Sequence, residues 1–216
     1  MQLSTSGLWW VLGAAAAGLG LGAASSVLTR RLLRHDRAIA GSWWLGAVVT
    51  AALLALLAWQ VGDRGDLVIY SFAGVLAVPL SVIDWCEHRL PRWVTGPQLA
   101  GVLVGFAALC LAHRDAEPGV RAVGGLLAAG GLVLALAVLS RGGVGAGDIG
   151  TAAVVGALTG WIGWPQVAGA LVVASVLALV LVAVPGAHRG ADRGQTTVPF
   201  GPCLFGGALA MILTVS

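Results

Sequence analysis

Residues 122–140, AVGGLLAAGGLVLALAVLS, form an apolar run that leads directly into the glycine-rich stretch RGGVGAGDIG at residues 141–150. An apolar run of this length is long enough to cross the hydrocarbon core of a bilayer as an α-helix. The stretch that follows it contains one acidic residue, Asp148. The run therefore indicates the class of fold, and the carboxylate at its end raises the question of function.

The whole chain has the composition of a membrane protein. Of its 216 residues, 58% are hydrophobic and 10% are charged, and the mean hydropathy is +0.94. A soluble domain of this size could not hide so much apolar surface inside itself. We therefore predict an all-α, polytopic helical bundle in a lipid bilayer. Residues 1–216 are treated as one domain, because neither a domain boundary nor an internal repeat is visible.

Apolar runs along the chain predict about eight transmembrane helices. They lie near residues 8–28, 43–62, 67–83, 97–112, 122–140, 149–164, 165–185 and 198–215. The runs at 97–112 and 149–164 are the shortest of these.

The arginines predict the orientation in the membrane. All 12 basic residues are arginine, and alternating spans place nine of them in loops on one side and three on the other. The side with nine is assigned to the cytoplasm. The basic segment at 29–37 follows the first span, as in an uncleaved anchor whose N-terminus lies outside. Since the net charge of +3 reflects this orientation, we predict no nucleic-acid partner.

Most of the nine acidic residues fall in predicted loops, and three do not: Asp84, Glu87 and Asp148. Asp84 ends one apolar run, and Asp148 begins another. The predicted topology places both aspartates at cytoplasmic helix ends, at similar depth, although 64 positions separate them. The two carboxylates are therefore able to meet.

Each aspartate also has a structural interpretation. Asp148 is predicted to be a helix N-cap, where a carboxylate accepts a backbone N–H and complements the positive end of the helix dipole. Asp84 lies at a helix C-terminus, where the dipole is unfavourable, so Arg89 or Arg92 is the expected structural partner.

The functional interpretation needs both carboxylates in one site. Two such groups a few ångströms apart do not both ionise readily, so one keeps a proton while the other acts as a base. This arrangement activates water against a peptide carbonyl. Glycines at 142, 143, 145 and 147 would let backbone or substrate approach Asp148 closely.

These residues resemble a known family. Gly145-Ala146-Gly147-Asp148 matches the GxGD motif of intramembrane aspartic peptidases, in a setting similar to that of the prepilin peptidases, or type IV leader peptidases. In that family the first aspartate precedes a hydrophobic-proline pair by six residues, as Asp84 precedes Leu90-Pro91. A PFGP motif opens the final helix, as Pro199-Phe200-Gly201-Pro202 does here.

The resemblance implies that Asp84 and Asp148 are the catalytic pair of a peptidase that uses neither metal nor cofactor. The glycines of the GxGD motif, the Leu-Pro pair and the PFGP motif would support that pair. The implied substrates are prepilin-like or pseudopilin-like precursors of pilus or secretion systems. They would be cut at the cytoplasmic face of the inner membrane, between a basic leader and a hydrophobic helix.

The sequence departs from the family pattern at several points. Ile149-Gly150 stands where the family commonly has Val-Lys, and Arg92 stands where it often has asparagine. Bifunctional members carry an N-methyltransferase region with paired cysteines in a long loop. The segment at 29–43 is short and has no cysteine, so we predict a peptidase without methyltransferase activity.

Three alternatives compete with the peptidase. Asp84, Glu87 and His88 would share a helix face and could hold a cation, but Pro91 indicates a loop there and we predict no metal site. A small proton- or cation-coupled transporter also uses intramembrane acids and broken helices. The third alternative is an inactive assembly factor that keeps the peptidase fold.

Overall fold

A computed structural model describes residues 5–32, 43–62, 65–87, 90–140, 145–183 and 199–214. Within these ranges the chain is helical apart from short connections, which confirms the all-α prediction. The eight described helices are α1 (Thr5–Leu32), α2 (Trp43–Val61), α3 (Asp66–Glu87), α4 (Arg92–His113), α5 (Glu117–Leu139), α6 (Ala146–Ile162), α7 (Trp164–Ala183) and α8 (Phe200–Leu213).

Length and composition divide these helices into two groups. Six of the described helices, α1 to α5 and α7, are long and apolar enough to cross a membrane. The other two are apolar but shorter, with 17 residues in α6 and 14 in α8. Since lipid offers no hydrogen-bond partners, a helix is the structure that satisfies the backbone of such segments. The protein is a polytopic helical membrane bundle.

Three helix boundaries differ from the prediction in ways that affect the site. Helix α3 continues beyond residue 83 to Glu87, so Asp84 lies within its last turn. Helix α4 begins at Arg92, directly after Pro91, whose carbonyl accepts the N–H groups of Val94 and Thr95. Helix α6 begins at Ala146 rather than at 149, so Asp148 lies in its first turn.

Helix α6 is the centre of the bundle. Its residues from 151 to 160 are all buried, and it packs against α4, α5, α7 and α8. Against α5 the two backbones touch: a Cβ on Gly125 would overlap the carbonyl oxygen of Gly156, and the reverse also holds. Small residues allow such close approach in membrane helices, where packing supplies much of the stability. The close contact holds α6 firmly against α5.

The C-terminal end of α6 is tied to three other helices. The Arg121 guanidinium of α5 donates to the carbonyl oxygen of Trp161 at 3.4 Å. The Tyr70 hydroxyl of α3 donates to the carbonyl oxygen of Leu158 at 3.4 Å. The Phe106 ring of α4 stacks on Trp161 with a centroid distance of 4.3 Å and an interplanar angle of 3°. These contacts fix the position of α6. They therefore also fix the position of Asp148, which lies at the opposite end of that helix.

Candidate active site

Asp84 is held by the start of the last helix. It is only 4% exposed, and its Oδ2 accepts a hydrogen bond from the Gly201 N–H of α8 at 2.8 Å. Of the two expected arginine partners, the described Arg92 side chain is exposed and forms no ion pair with Asp84, whereas Arg89 lies outside the described residues, so its pairing stays a prediction. The Asp84 carboxylate thus faces the positive end of the α8 dipole.

The PFGP motif explains how α8 offers this amide. Pro199 is the N-cap and Phe200 the first helical residue. First-turn N–H groups have no acceptor inside their own helix, and Pro202 has no N–H at all. A Cβ on Gly201 would lie 2.9 Å from Asp84 Oδ2, which is shorter than a van der Waals contact allows. Glycine at 201 therefore lets the carboxylate approach the backbone.

Asp148 is held by a reciprocal pair of hydrogen bonds at the start of α6. Its N–H donates to the Gly145 carbonyl oxygen at 3.0 Å, and its Oδ2 accepts from the Gly145 N–H at 3.1 Å. Gly145 is the N-cap of α6, and Asp148 is its third helical residue. The predicted N-cap position was therefore wrong, although the carboxylate does accept a backbone N–H there. Its half-buried side chain faces the positive end of its own helix.

Leu90 contacts both of the glycines next to the aspartates. A Cβ on Gly147 would overlap the Leu90 Cβ and lie 2.7 Å from the Leu90 carbonyl oxygen. A Cβ on Gly201 would lie 3.2 Å from Leu90 Cδ1. The three sequence motifs therefore meet at one end of the bundle.

The glycines around Asp148 differ in what surrounds them. Leu90 fills the space beside the Gly147 Cα. The absence of a side chain at Gly147 therefore serves packing inside the protein rather than access for a substrate. Gly145 is exposed, and a Cβ there would meet only the Asp148 carboxylate, at 3.2 Å. Gly142 and Gly143 lie outside the described residues. Gly150, at the usual lysine position, faces α4, and a Cβ there would lie 3.3 Å from the Thr95 hydroxyl oxygen.

Two features of the site were not predicted. They are the amide of Gly201 as the partner of Asp84, and the contact of Leu90 with two helices at once. A signal for the first was present, because glycine followed by proline at a helix start leaves an accessible N–H beside a missing one.

A cavity of about 1090 Å³ lies between α2, α3 and α8, with the end of α1 at one rim. Its walls are mostly apolar, and neither aspartate lines it.

The metal alternative gains no support from the part of the chain that is described. Within it, no three His, Cys, Asp or Glu residues are grouped to hold a metal ion. His88, one of the three residues of that alternative, lies outside the described ranges, so this hypothesis stays untested.

The fold and site together define a polytopic membrane protein with two aspartates, far apart in sequence, gathered at one end of a helical bundle. The chain belongs to the type IV leader peptidase family, whose model matches residues 67–183, more than half of the chain and including both aspartates.

A curated relative agrees with this assignment. The type 4 prepilin-like proteins leader peptide-processing enzyme of Escherichia coli O78:H11 (strain H10407 / ETEC) is 33% identical over 165 residues. The aligned part is 75% of this chain and 56% of that enzyme, so the chain spans little more than half the length of its relative. No solved structure matches the chain.

Proposed function

We propose that this protein is an aspartic endopeptidase that removes the leader peptide from prepilin-like or pseudopilin-like membrane precursors. One observation carries the proposal: Asp84 of α3 and Asp148 of α6, both within the region matched by the family, are linked by Leu90, which contacts Gly147 of α6 and Gly201 of α8. The name of the Escherichia coli relative supports the same class of substrate.

The proposed chemistry uses the two carboxyl groups as one unit. The ionised carboxyl takes a proton from water as the water oxygen attacks the carbonyl carbon of the scissile peptide bond. The protonated carboxyl donates its proton to the carbonyl oxygen, which gives a neutral tetrahedral intermediate. Proton transfer to the amide nitrogen then allows the C–N bond to break. Because the pair titrates jointly, neither aspartate is assigned a fixed role.

The hydrogen bonds of the site suit this chemistry. The Gly201 N–H donates a hydrogen bond to Oδ2 of Asp84, and the Gly145 N–H donates one to Oδ2 of Asp148. In the proposed mechanism, the other oxygen of each carboxyl exchanges protons with water and substrate. Fixing one oxygen of each group sets its orientation before substrate binds, and such preorganisation lowers the barrier.

The site is proposed to face the cytoplasm. Asp84 lies in the last turn of α3, Asp148 lies in the first turn of α6, and the arginine-rich segment 29–37 begins in the last turn of α1. With the N-terminus outside the inner membrane, these ends share one side. A precursor would then present its leader at the cytoplasmic surface with its hydrophobic helix in the bilayer. The short segment at 29–43, which lacks cysteine, supports a peptidase without methyltransferase activity.

The position of the aspartates favours a peptidase over a transporter. Transporter acids lie near the bilayer midplane, whereas both aspartates here lie in terminal turns. The inactive assembly factor shares every feature of the fold, so only an activity assay separates it from the peptidase.

The test is cleavage of co-expressed prepilin-like precursors by the wild type and by Asp84→Asn and Asp148→Asn variants. We expect cleavage by the wild type and a loss of at least about 1000-fold in each variant, as for other paired catalytic groups. Asp66→Asn, in the first turn of the same helix as Asp84, is the matched control and should cut normally. Uncut precursors with the wild type, or normal cleavage by either asparagine variant, would contradict the proposal.

A further inference from the structure

Leu90 has an unusual position for an apolar residue between two helices. It follows α3 and directly precedes Pro91, the N-cap of α4. Leu90 nevertheless reaches two other helices. Its Cβ and backbone lie on Gly147 of α6, and Cδ1 of its half-buried side chain lies beside Gly201 of α8. One residue thus bridges the first turns of two other helices.

Each of the two glycines is directly coupled to an aspartate. Gly147 is the chain neighbour of Asp148, so a shift of the α6 backbone at Gly147 moves the Asp148 side chain. Gly201 donates its N–H to Asp84, so a shift of α8 at Gly201 moves or releases that carboxylate. The length of the Leu90 side chain therefore affects the distance between the two carboxyl groups.

The backbone of Leu90 is itself restrained. A residue that precedes proline is confined to extended conformations, and the carbonyl of Pro91 accepts the N–H groups of Val94 and Thr95 at 2.9 and 3.2 Å. These bonds attach the Leu-Pro pair to the first turn of α4. Leu90 thus projects from a fixed base, as a spacer must.

We propose that Leu90 is a positioning residue that sets the distance between Asp84 and Asp148. It acts through its contacts with Gly147 and Gly201. This inference rests on the proposed peptidase function for its consequence in catalysis, although the spacing itself is a property of the folded chain.

The test compares Leu90→Ala with Leu90→Met and with a matched control. Alanine keeps the Cβ on Gly147 and removes the atoms that reach Gly201, whereas methionine has a similar reach. Leu109 is the control, because its Cδ2 packs on a glycine in the same way: a Cβ on Gly65 would lie 2.8 Å from it. That contact joins α4 to the start of α3, at the end of the bundle away from the aspartates.

The first readout is a distance that does not depend on activity. Spin labels are attached at Trp85→Cys and Ala146→Cys, two exposed positions near the aspartates, after replacement of Cys86, Cys110 and Cys203. We expect Leu90→Ala to shift or broaden the distance distribution, and Leu90→Met and Leu109→Ala to leave it unchanged. An unchanged distribution in Leu90→Ala, or an equal change in Leu109→Ala, overturns the proposal.

The second readout is the pH profile of precursor cleavage by the purified protein. Because a displacement of about 1 Å can cost about 100-fold, we expect kcat to fall at least about tenfold in Leu90→Ala while KM stays within about twofold. The limbs of the pH profile should move, since the coupling between the carboxyls depends on their separation. If the wild type cuts no precursor but the distance still changes, the proposed function fails while the spacing role stands.

Discussion

Asp84 and Gly201 are joined by a 2.8 Å hydrogen bond although 117 positions separate them. The carboxylate lies at the end of α3, where its own helix dipole is unfavourable, and the amide lies at the start of α8, where the dipole is favourable. The bond therefore gives a buried carboxylate a donor, and it gives a first-turn N–H an acceptor that its own helix does not supply.

Substitution of Gly201 should slow precursor cleavage. In Gly201→Ala, the new methyl group would lie 2.9 Å from Asp84 Oδ2 and 3.2 Å from Leu90 Cδ1, so the carboxylate must move. We expect precursor cleavage to fall by about tenfold or more, because catalytic groups tolerate little displacement. Gly206→Ala in the same helix is the control, since its methyl group meets only the flexible end of Leu177. Equal activity of the two variants would count against the predicted role of Gly201.

Gly147→Ala should act on stability as well as on cleavage. Its methyl group would overlap Leu90, whose carbonyl oxygen is backbone and cannot rotate away. Overpacking of this kind lowers the free energy of unfolding by about 1–3 kcal/mol. Thermal unfolding in detergent measures the change, with Gly96→Ala as the control because its methyl group would meet nothing within 4 Å. Similar melting temperatures for both variants would show that α6 can move away from Leu90.

Two substitutions of Asp148 should separate its structural role from its chemical role. Asparagine keeps an oxygen that can accept from the Gly145 N–H, whereas alanine removes it. We expect both variants to lose cleavage, and only Asp148→Ala to lose stability, by about 0.5–2 kcal/mol as for other helix-start side chains. The measurement is cleavage and thermal unfolding of the same preparations. A stable Asp148→Ala variant would mean that water replaces the lost acceptor.

The α5–α6 contact should be intolerant of bulk. A side chain on Gly125 meets the carbonyl oxygen of Gly156 and lies 3.0 Å from the Gly160 Cα, both backbone atoms. We expect Gly125→Val to reduce the folded protein recovered from membranes severely, because close packing is what holds membrane helices together. Gly131→Val on the same helix has nothing within 4 Å of the new Cβ and should be recovered normally. Normal recovery of Gly125→Val would show that the two helices can separate.

The sequence predicted the helices better than it predicted their ends. Each apolar run became a helix, because lipid leaves a long apolar segment no other way to satisfy its backbone. The start of α6 was placed three residues too late, because a run of glycines fits a turn as well as a first helical turn. Because of that error Asp148 was predicted to be an N-cap, whereas it is the third residue of its helix.

The sequence also predicted that Asp84 and Asp148 lie at the same end of the bundle, from the alternation of spans. It did not predict what holds them there. The partner of Asp84 is an amide in a helix 117 positions away, and such a contact depends on how helices pack rather than on local pattern. Arginines close in sequence were the expected partners because proximity along the chain was the only guide. The bridge made by Leu90 was hidden for the same reason.

The dependence of Asp84 on α8 also gives the chain an order of assembly. Ribosomes make α3 and α6 before α8, so a growing chain contains both aspartates before it contains the amide of Gly201. Until residues 199–202 have emerged and docked, the Asp84 carboxylate lacks the bond that orients it. The two carboxyls therefore reach their final arrangement only after α8 is in place, and a chain that stops before α8 carries both acids without the geometry that joins them.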